Sequence, residues 1–299
     1  MNHPAARKLI VPLALALASA AVGADPMVYV VNLAQQFGTV NLTSGAFQPI
    51  GPGTPEGESG LAVGPSGSLL TLTFSGNLDA IDPVTGLTTV LGATGLGGQA
   101  NTLAGHAGQI YATDLANNLY KLNTSTGAAT LIGPMGIPAM PGYPFSTNPD
   151  GTTNLLDQAL FSHGGNLYAT YDVFRLGADG FSTGFTIEPK LYVIDTTTGF
   201  GTLLSSTAPQ VLAAADVGGG VYAFQGAFNA AHPFMGAVSA STLNLASGNA
   251  AYLTAVDSSA IFGAVEVPAV PEPASMALWC LGLAAMAFQK RVRTGRSKN

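Results

Sequence analysis

Apolar and polar positions alternate in short runs through most of this chain, and Gly, Asn, Asp or Ser interrupts each run after a few residues. A period of two over runs this short predicts half-buried β-strands joined by tight turns, whereas amphipathic helices would show a 3.6-residue period. Five of the turns are of one kind: they begin at Asn41, Asp82, Asn123, Asp195 and Asn244 and end four residues later at Gly45, Gly86, Gly127, Gly199 and Gly248. An Asn or Asp side chain can accept from the backbone just ahead of it, and Gly tolerates the positive φ that closes such a turn.

The flanks of these turns repeat as well. Residues 119–122 precede one turn and 129–133 follow it, and 191–194 and 202–204 do the same around another, giving the third and fourth strands of a unit. Upstream lie a second strand (110–113, 167–170, 221–224) and a first (60–63, 102–104, 158–161). The turns recur at 41 residues from Asn41 to Asp82 and 41 again to Asn123, then at 72 and 49 where loops are inserted. Four strands in a repeat of ~40–45 residues predict β-propeller blades. The fold expected is all-β, a five-bladed β-propeller, with six blades as the alternative if 136–170 hides another. The first unit lacks its own first strand, because 28–31 already reads as a second. The apolar segment 260–267 is expected to fill that inner place, closing the ring and removing an exposed edge. Leu or Ile, Tyr, a hydrophobic residue and Asp or Asn ahead of a Thr-Gly turn is similar to the NHL and quinoprotein-like propeller families, over residues 27–267.

Composition sharpens the picture at the two ends. Arg7 and Lys8 precede an apolar run over 9–22, and small residues follow up to Ala24. This order predicts a secretory signal peptide over 1–24, cut between Ala24 and Asp25 by signal peptidase. Near the other end, Pro271, Glu272 and Pro273 precede an apolar stretch over 274–288 and a tail with Lys290, Arg291, Arg293, Arg296 and Lys298. As a helix that stretch would span about 22 Å, short of the ~30 Å hydrocarbon core, which suits a transient transmembrane anchor with a cytoplasmic basic tail. The arrangement over 268–299 resembles the PEP-CTERM sorting signal. The resemblance implies an exosortase as processing partner, anchoring in the inner membrane during transit, a final place at the cell surface or outside the cell, and a setting of biofilm and exopolysaccharide. The body over 25–267 is then the exported domain.

Charge narrows the partners. From Pro26 to Val267 only Lys121, Arg175 and Lys190 are basic, against 14 acids. So acidic a body repels phosphate backbones, and nucleic acid is not an expected partner. The sole cysteine, Cys280, lies within the terminal apolar stretch.

Strand alternation places the connections from strand two to three and from strand four to the next blade on one face, with the remaining turns on the other. The insertions 51–59, 134–156, 173–189 and 225–240 are all expected on the first face, where rigid strands would hold variable binding loops. They carry Tyr143, Phe145, Phe174, Arg175, Phe181, Phe185, Phe228, His232 and Phe234, a set suited to stacking on a sugar ring or docking a protein, or to packing on one another as a loop core. His106 and His163 occupy equivalent turn positions on the opposite face, which points to a structural role. No metal-ligand spacing is present, no cofactor motif has its structural context, and no catalytic residue is assigned. The expectation is an exported, noncatalytic surface or matrix protein whose propeller binds an extracellular partner such as exopolysaccharide. The alternative is an extracellular glycan hydrolase or lyase using carboxylates such as Asp157, Asp172 and Asp179.

Overall fold

The computed structural model describes residues 25–137, 150–177, 182–226 and 238–268. Within them the strands form five separate antiparallel sheets, the five blades of a propeller. Blade one contains β1 (Met27–Asn32), β2 (Phe37–Asn41) and β3 (Phe47–Pro49). Blade two is β4 (Glu58–Val63), β5 (Leu69–Thr73), β6 (Asn77–Ile81) and β7 (Thr88–Ala93). Blade three is β8 (Ala100–His106), β9 (Gln109–Asp114), β10 (Asn118–Leu122) and β11 (Ala129–Pro134). Blade four holds β12 (Thr153–Asp157), β13 (Leu160–His163), β14 (Asn166–Leu176), β15 (Ser182–Ile194) and β16 (Gly201–Ser205). Blade five is β17 (Ala213–Val217), β18 (Gly220–Gly226), β19 (Val238–Leu243) and β20 (Ala250–Val256). The last strand, β21 (Ile261–Glu266), pairs with β1 as the inner strand of blade one, with Val28 opposite Glu266 and Val30 opposite Ala264. The ring closes as expected, and the stretch 136–170 holds no sixth blade among its described residues.

Each recurring turn is built alike. The side chain of Asn123 accepts from the N–H groups of Ser125 (2.9 Å) and Thr126 (3.2 Å), and its C=O accepts from Gly127 (2.8 Å). Asn41, Asp82, Asp195 and Asn244 make the same three bonds, and the closing glycines all sit at φ between 70° and 84°. Three residues before the Asx, in blades two to five, the ladder between strands three and four slips by one residue: at Leu78/Asp79, Leu119/Tyr120, Leu191/Tyr192 and Ala240/Ser241. The extra residue lies on strand four (Leu91, Ile132, Leu204, Leu253), and a bulge of this kind bends and twists its strand.

Beyond the bulge, strand four meets the turn of the next blade. A Cβ on Gly127 would strike the backbone of Gly92, one on Gly199 that of Gly133, and one on Gly45 that of Ala255. At the blade four to five junction Ser205 Oγ donates to Ser247 O at 3.1 Å. The turn glycine thus serves twice, for its positive φ and for backbone-to-backbone approach. Between the sheets lie five apolar clusters, each shared by two neighbouring blades. Examples are Val31, Phe37, Leu61, Leu69 and Ile81 between blades one and two, and Val28, Val40, Phe224 and Val238 between blades five and one. The core is therefore a circle of interblade layers, which is why a strand buried on both faces reads as nearly continuous apolar sequence.

Blade four departs from the sequence expectation. Much of the stretch 173–189, expected as an inserted loop, is strand: β14 and β15 run on together as a ribbon longer than any other hairpin among the described residues. Residues 153–156, also expected within a loop, belong to β12, which pairs with the C-terminal half of β14 while β13 pairs with its N-terminal half. The reason lies in the sequence itself: Tyr171 and Val173 are fully buried, and Val173, Phe174 and Ile187 continue the strand-forming pattern.

Candidate functional site

The two mouths of the ring differ in chemistry. At the short-turn end, the inner strands of all five blades enclose a cavity of about 320 Å³ lined by Leu61, Val63, Leu160, Val265 and several Ala, with Ser162, Asp216 and Glu266 among the polar lining. These three polar side chains occupy equivalent positions on β13, β17 and β21, and each is held by the preceding blade. His106 Nδ1 lies 2.9 Å from Ser162 Oγ, His163 Nδ1 lies 3.0 Å from Asp216 Oδ2, and Gly218 N–H donates to Glu266 Oε1 at 3.1 Å. The paired histidines are thus interblade ties, and burial lowers the pKa of His106. Among the described residues no group of His, Cys, Asp or Glu is arranged to hold a metal ion.

The opposite mouth carries buried acids and amides. Glu58, at the start of β4, accepts from Thr71 Oγ1 at 2.6 Å, and burial pushes its carboxyl up to about 7. Asp157 and Asp172 oppose each other directly across β12 and β14, where Cβ atoms lie about 4.5–5.5 Å apart in an antiparallel pair. Burial raises the pKa of both, and the Asp157 charge beside it raises that of Asp172 further, so the pair retains a proton where ordinary carboxylates have lost theirs. Gln210 Nε2 donates to Asp157 Oδ2 at 3.0 Å, tying blade five to blade four. Gln158 Oε1 accepts from Asn101 Nδ2 (2.8 Å) and Thr113 Oγ1 (2.7 Å), tying blade four to blade three. Glu58 Oε1, Asp172 Oδ1 and Gln158 Nε2 are buried without a hydrogen-bond partner.

Two of the three carboxylates considered for glycan chemistry are therefore brought together, while Asp179 lies outside the described residues. The pair is only 6% and 1% exposed, so a sugar has no approach to it in this conformation. Glu58, Gln158 and Gln210 were not singled out from sequence. Their signal is a polar residue just where an inner strand begins or is about to begin, visible only after the blades are aligned.

Of the expected binding set, Arg175 stands on the ribbon of blade four, opposite Asn154 and Gly184, with its Nη1 3.6 Å from Asp150 Oδ2. The backbone register also sets Phe174 opposite Phe185. Tyr143, Phe145, Phe181, Phe228, His232 and Phe234 lie outside the described residues, as do Ala24, Pro271, Glu272 and Pro273. Asp25 is described: it accepts from Asn41 Nδ2 (2.9 Å) and Thr43 Oγ1 (3.3 Å) on the turn of blade one. No helix among the described residues is long and apolar enough to cross a membrane, and the stretch 274–288 is not among them.

Residues 269–292 match the PEP-CTERM protein-sorting motif. That match implies an exported, exosortase-sorted protein with membrane-associated transit, whose body is the propeller described above. No curated protein sequence matches the chain. Among solved structures, the chain is similar to a nidogen/laminin complex at 12% identity, covering 81% of this chain and 97% of that one with a TM-score of 0.44. It is also similar to an inactive virginiamycin B lyase from Staphylococcus aureus with quinupristin, at 13% identity, 77% and 66% coverage and a TM-score of 0.39. A PQQ-bound aldose sugar dehydrogenase from Streptomyces coelicolor follows at 15% identity, 57% and 57% coverage and 0.34. Such distant likenesses carry no functional argument.

Proposed function

We propose that the exported propeller is a noncatalytic binding module that takes an extracellular partner, of the exopolysaccharide class, on the face formed by the two-to-three and four-to-next connections. One observation carries the reading: the strand ends joined by 135–152 and by 227–237, and the long β14–β15 ribbon, lie on that face, while the other face has only short turns among the described residues. Variable segments on a rigid ring are the usual place for recognition. Arg175 stands on the ribbon, and the expected aromatics Phe181 and Phe234 fall within or beside these connections, where rings could stack on sugars. The body comprises 25–267, with the signal peptide before it and the sorting segment after it.

The binding test uses purified residues 25–268, which contain every strand of the closed ring. Retention on immobilised exopolysaccharide is expected for the parent and is expected to weaken in Arg175→Ala, Phe181→Ala and Phe234→Ala. Absence of retention by the parent, or equal retention by all three variants, overturns the reading.

The juxtaposition of Asp157 and Asp172 favours a second reading, an extracellular glycan hydrolase or lyase, since paired carboxylates about 5–9.5 Å apart serve glycoside cleavage, and it requires the buried pair to open to its substrate. Release of reducing ends from exopolysaccharide by the parent, abolished in Asp157→Asn, would favour it over binding alone.

A further inference from the structure

One hairpin of the ring is missing. In blades two to five the inner strand turns directly into its neighbour, at 64–68, 107–108, 164–165 and 218–219. In blade one the same place is taken by the two free strand ends, β21 finishing where β1 begins, with Val267 N–H donating to Met27 O at 3.0 Å. Both terminal segments therefore leave the ring side by side, from the short-turn face. The N-terminal side is pinned there, since Leu42 N–H donates to Pro26 O at 2.9 Å and Asp25 holds Asn41 and Thr43 of the adjacent turn. On the C-terminal side Pro268 lines the mouth of the central cavity.

Chain length then fixes how far the sorting motif can stray. Pro271 follows Pro268 by three residues, which span at most about 11 Å at ~3.6 Å per residue, roughly the diameter of one helix. Any enzyme that acts at Pro271, Glu272 and Pro273 must come that close to the short-turn face. The face is suited to this approach: its connections are tight hairpins, and every long connection lies on the other side.

We infer that the short-turn face is the docking side for the membrane-embedded sorting enzyme, so that the propeller is held during transit with its long-loop face pointing away from the bilayer. This rests on the reading of 269–292 as a processed sorting signal. It explains why the insertions are one-sided: a long loop at 164–165 or 64–68 would stand between the enzyme and its motif.

The test follows processing of the full-length chain by immunoblot in a host that carries an exosortase. A small folded domain is inserted between Gly164 and Gly165, between Ser66 and Gly67, or within 227–237, all sites outside the described strands. The expected result is processing slowed severalfold by either insertion on the short-turn face and left at the parent rate by the one in 227–237. A flexible Gly/Ser linker added after Pro268 is expected to restore processing of the first two. Such rescue would not occur if those variants had simply failed to fold. Equal processing of all three insertions, or no rescue by the linker, overturns the inference. A parent chain that is not processed at all would instead overturn the sorting reading on which it rests.

Discussion

The two faces of this ring are made by the same strands and differ in how their polar groups are settled. On the short-turn face, five Asx turns satisfy their own backbone, and His106, His163 and Gly218 each bond to the next blade. On the other face Glu58, Asp172 and Gln158 hold buried polar atoms with no partner, and Asp157 and Asp172 crowd each other. A face whose groups are satisfied by neighbouring blades serves closure; one with orphaned buried groups holds unspent hydrogen-bonding capacity, the kind of imperfection that concentrates at functional places.

The sharpest way to break the short-turn face is Gly127→Ala. It combines an unfavourable φ of +76° with a clash against the Gly92 backbone, and is expected to cost about 3 kcal/mol from strain plus overpacking. Gly108→Ala, at φ +71° with open space around it, is expected to cost only about 1 kcal/mol. Urea melts of residues 25–268 measure both, and equal costs would remove the interblade role of the turn glycine.

On the acid face the expected signature is in pH. Because burial raises the folded-state pKa of Asp157 and Asp172 above the unfolded value near ~3.9, the folded protein binds more protons than the unfolded chain. Their contribution to stability is full below that value and is lost as pH rises through the raised folded values. Asp172→Asn is expected to flatten this fall and to stabilise the protein at pH 8 by about 2 kcal/mol relative to the parent. Parallel stability curves from pH 4 to 8 for the two proteins would show that the pair is ionised in the fold.

Smaller effects complete the comparison. Asn123→Ala removes the side-chain acceptor of one Asx turn and is expected to cost about 1 kcal/mol. Arg175→Ala, whose contact with Asp150 is exposed, is expected to change stability by less than about 0.5 kcal/mol while weakening exopolysaccharide retention. A melting temperature lowered as much by Arg175→Ala as by Asn123→Ala would recast Arg175 as a support of the ribbon.

Blade number, the recurring Asx-to-Gly turn and the closure of 28–31 by 260–267 were legible in the sequence because each is local or periodic: a turn needs its residue types at fixed offsets, and an unpaired second strand needs a partner. The ribbon of blade four was hidden because the wider turn spacing there reads as an inserted loop, although Tyr171 and Val173 are core residues. The bulge three residues before the Asx of blades two to five was equally hidden, since a slip of register appears only when two strands are paired. So was the meeting of Asp157 with Asp172, fifteen residues apart in the chain and joined by pairing of β12 with β14.

Sequence by itself determined that short strands repeat around a circle and that the chain carries a sorting motif at its far end, since periodicity and order along the chain need no third dimension. Tertiary structure decided which carboxylates are buried together, which glycine meets which neighbour, and that both terminal segments depart from one face. Those outcomes depend on distances between blades, which only the packing of sheet against sheet can set.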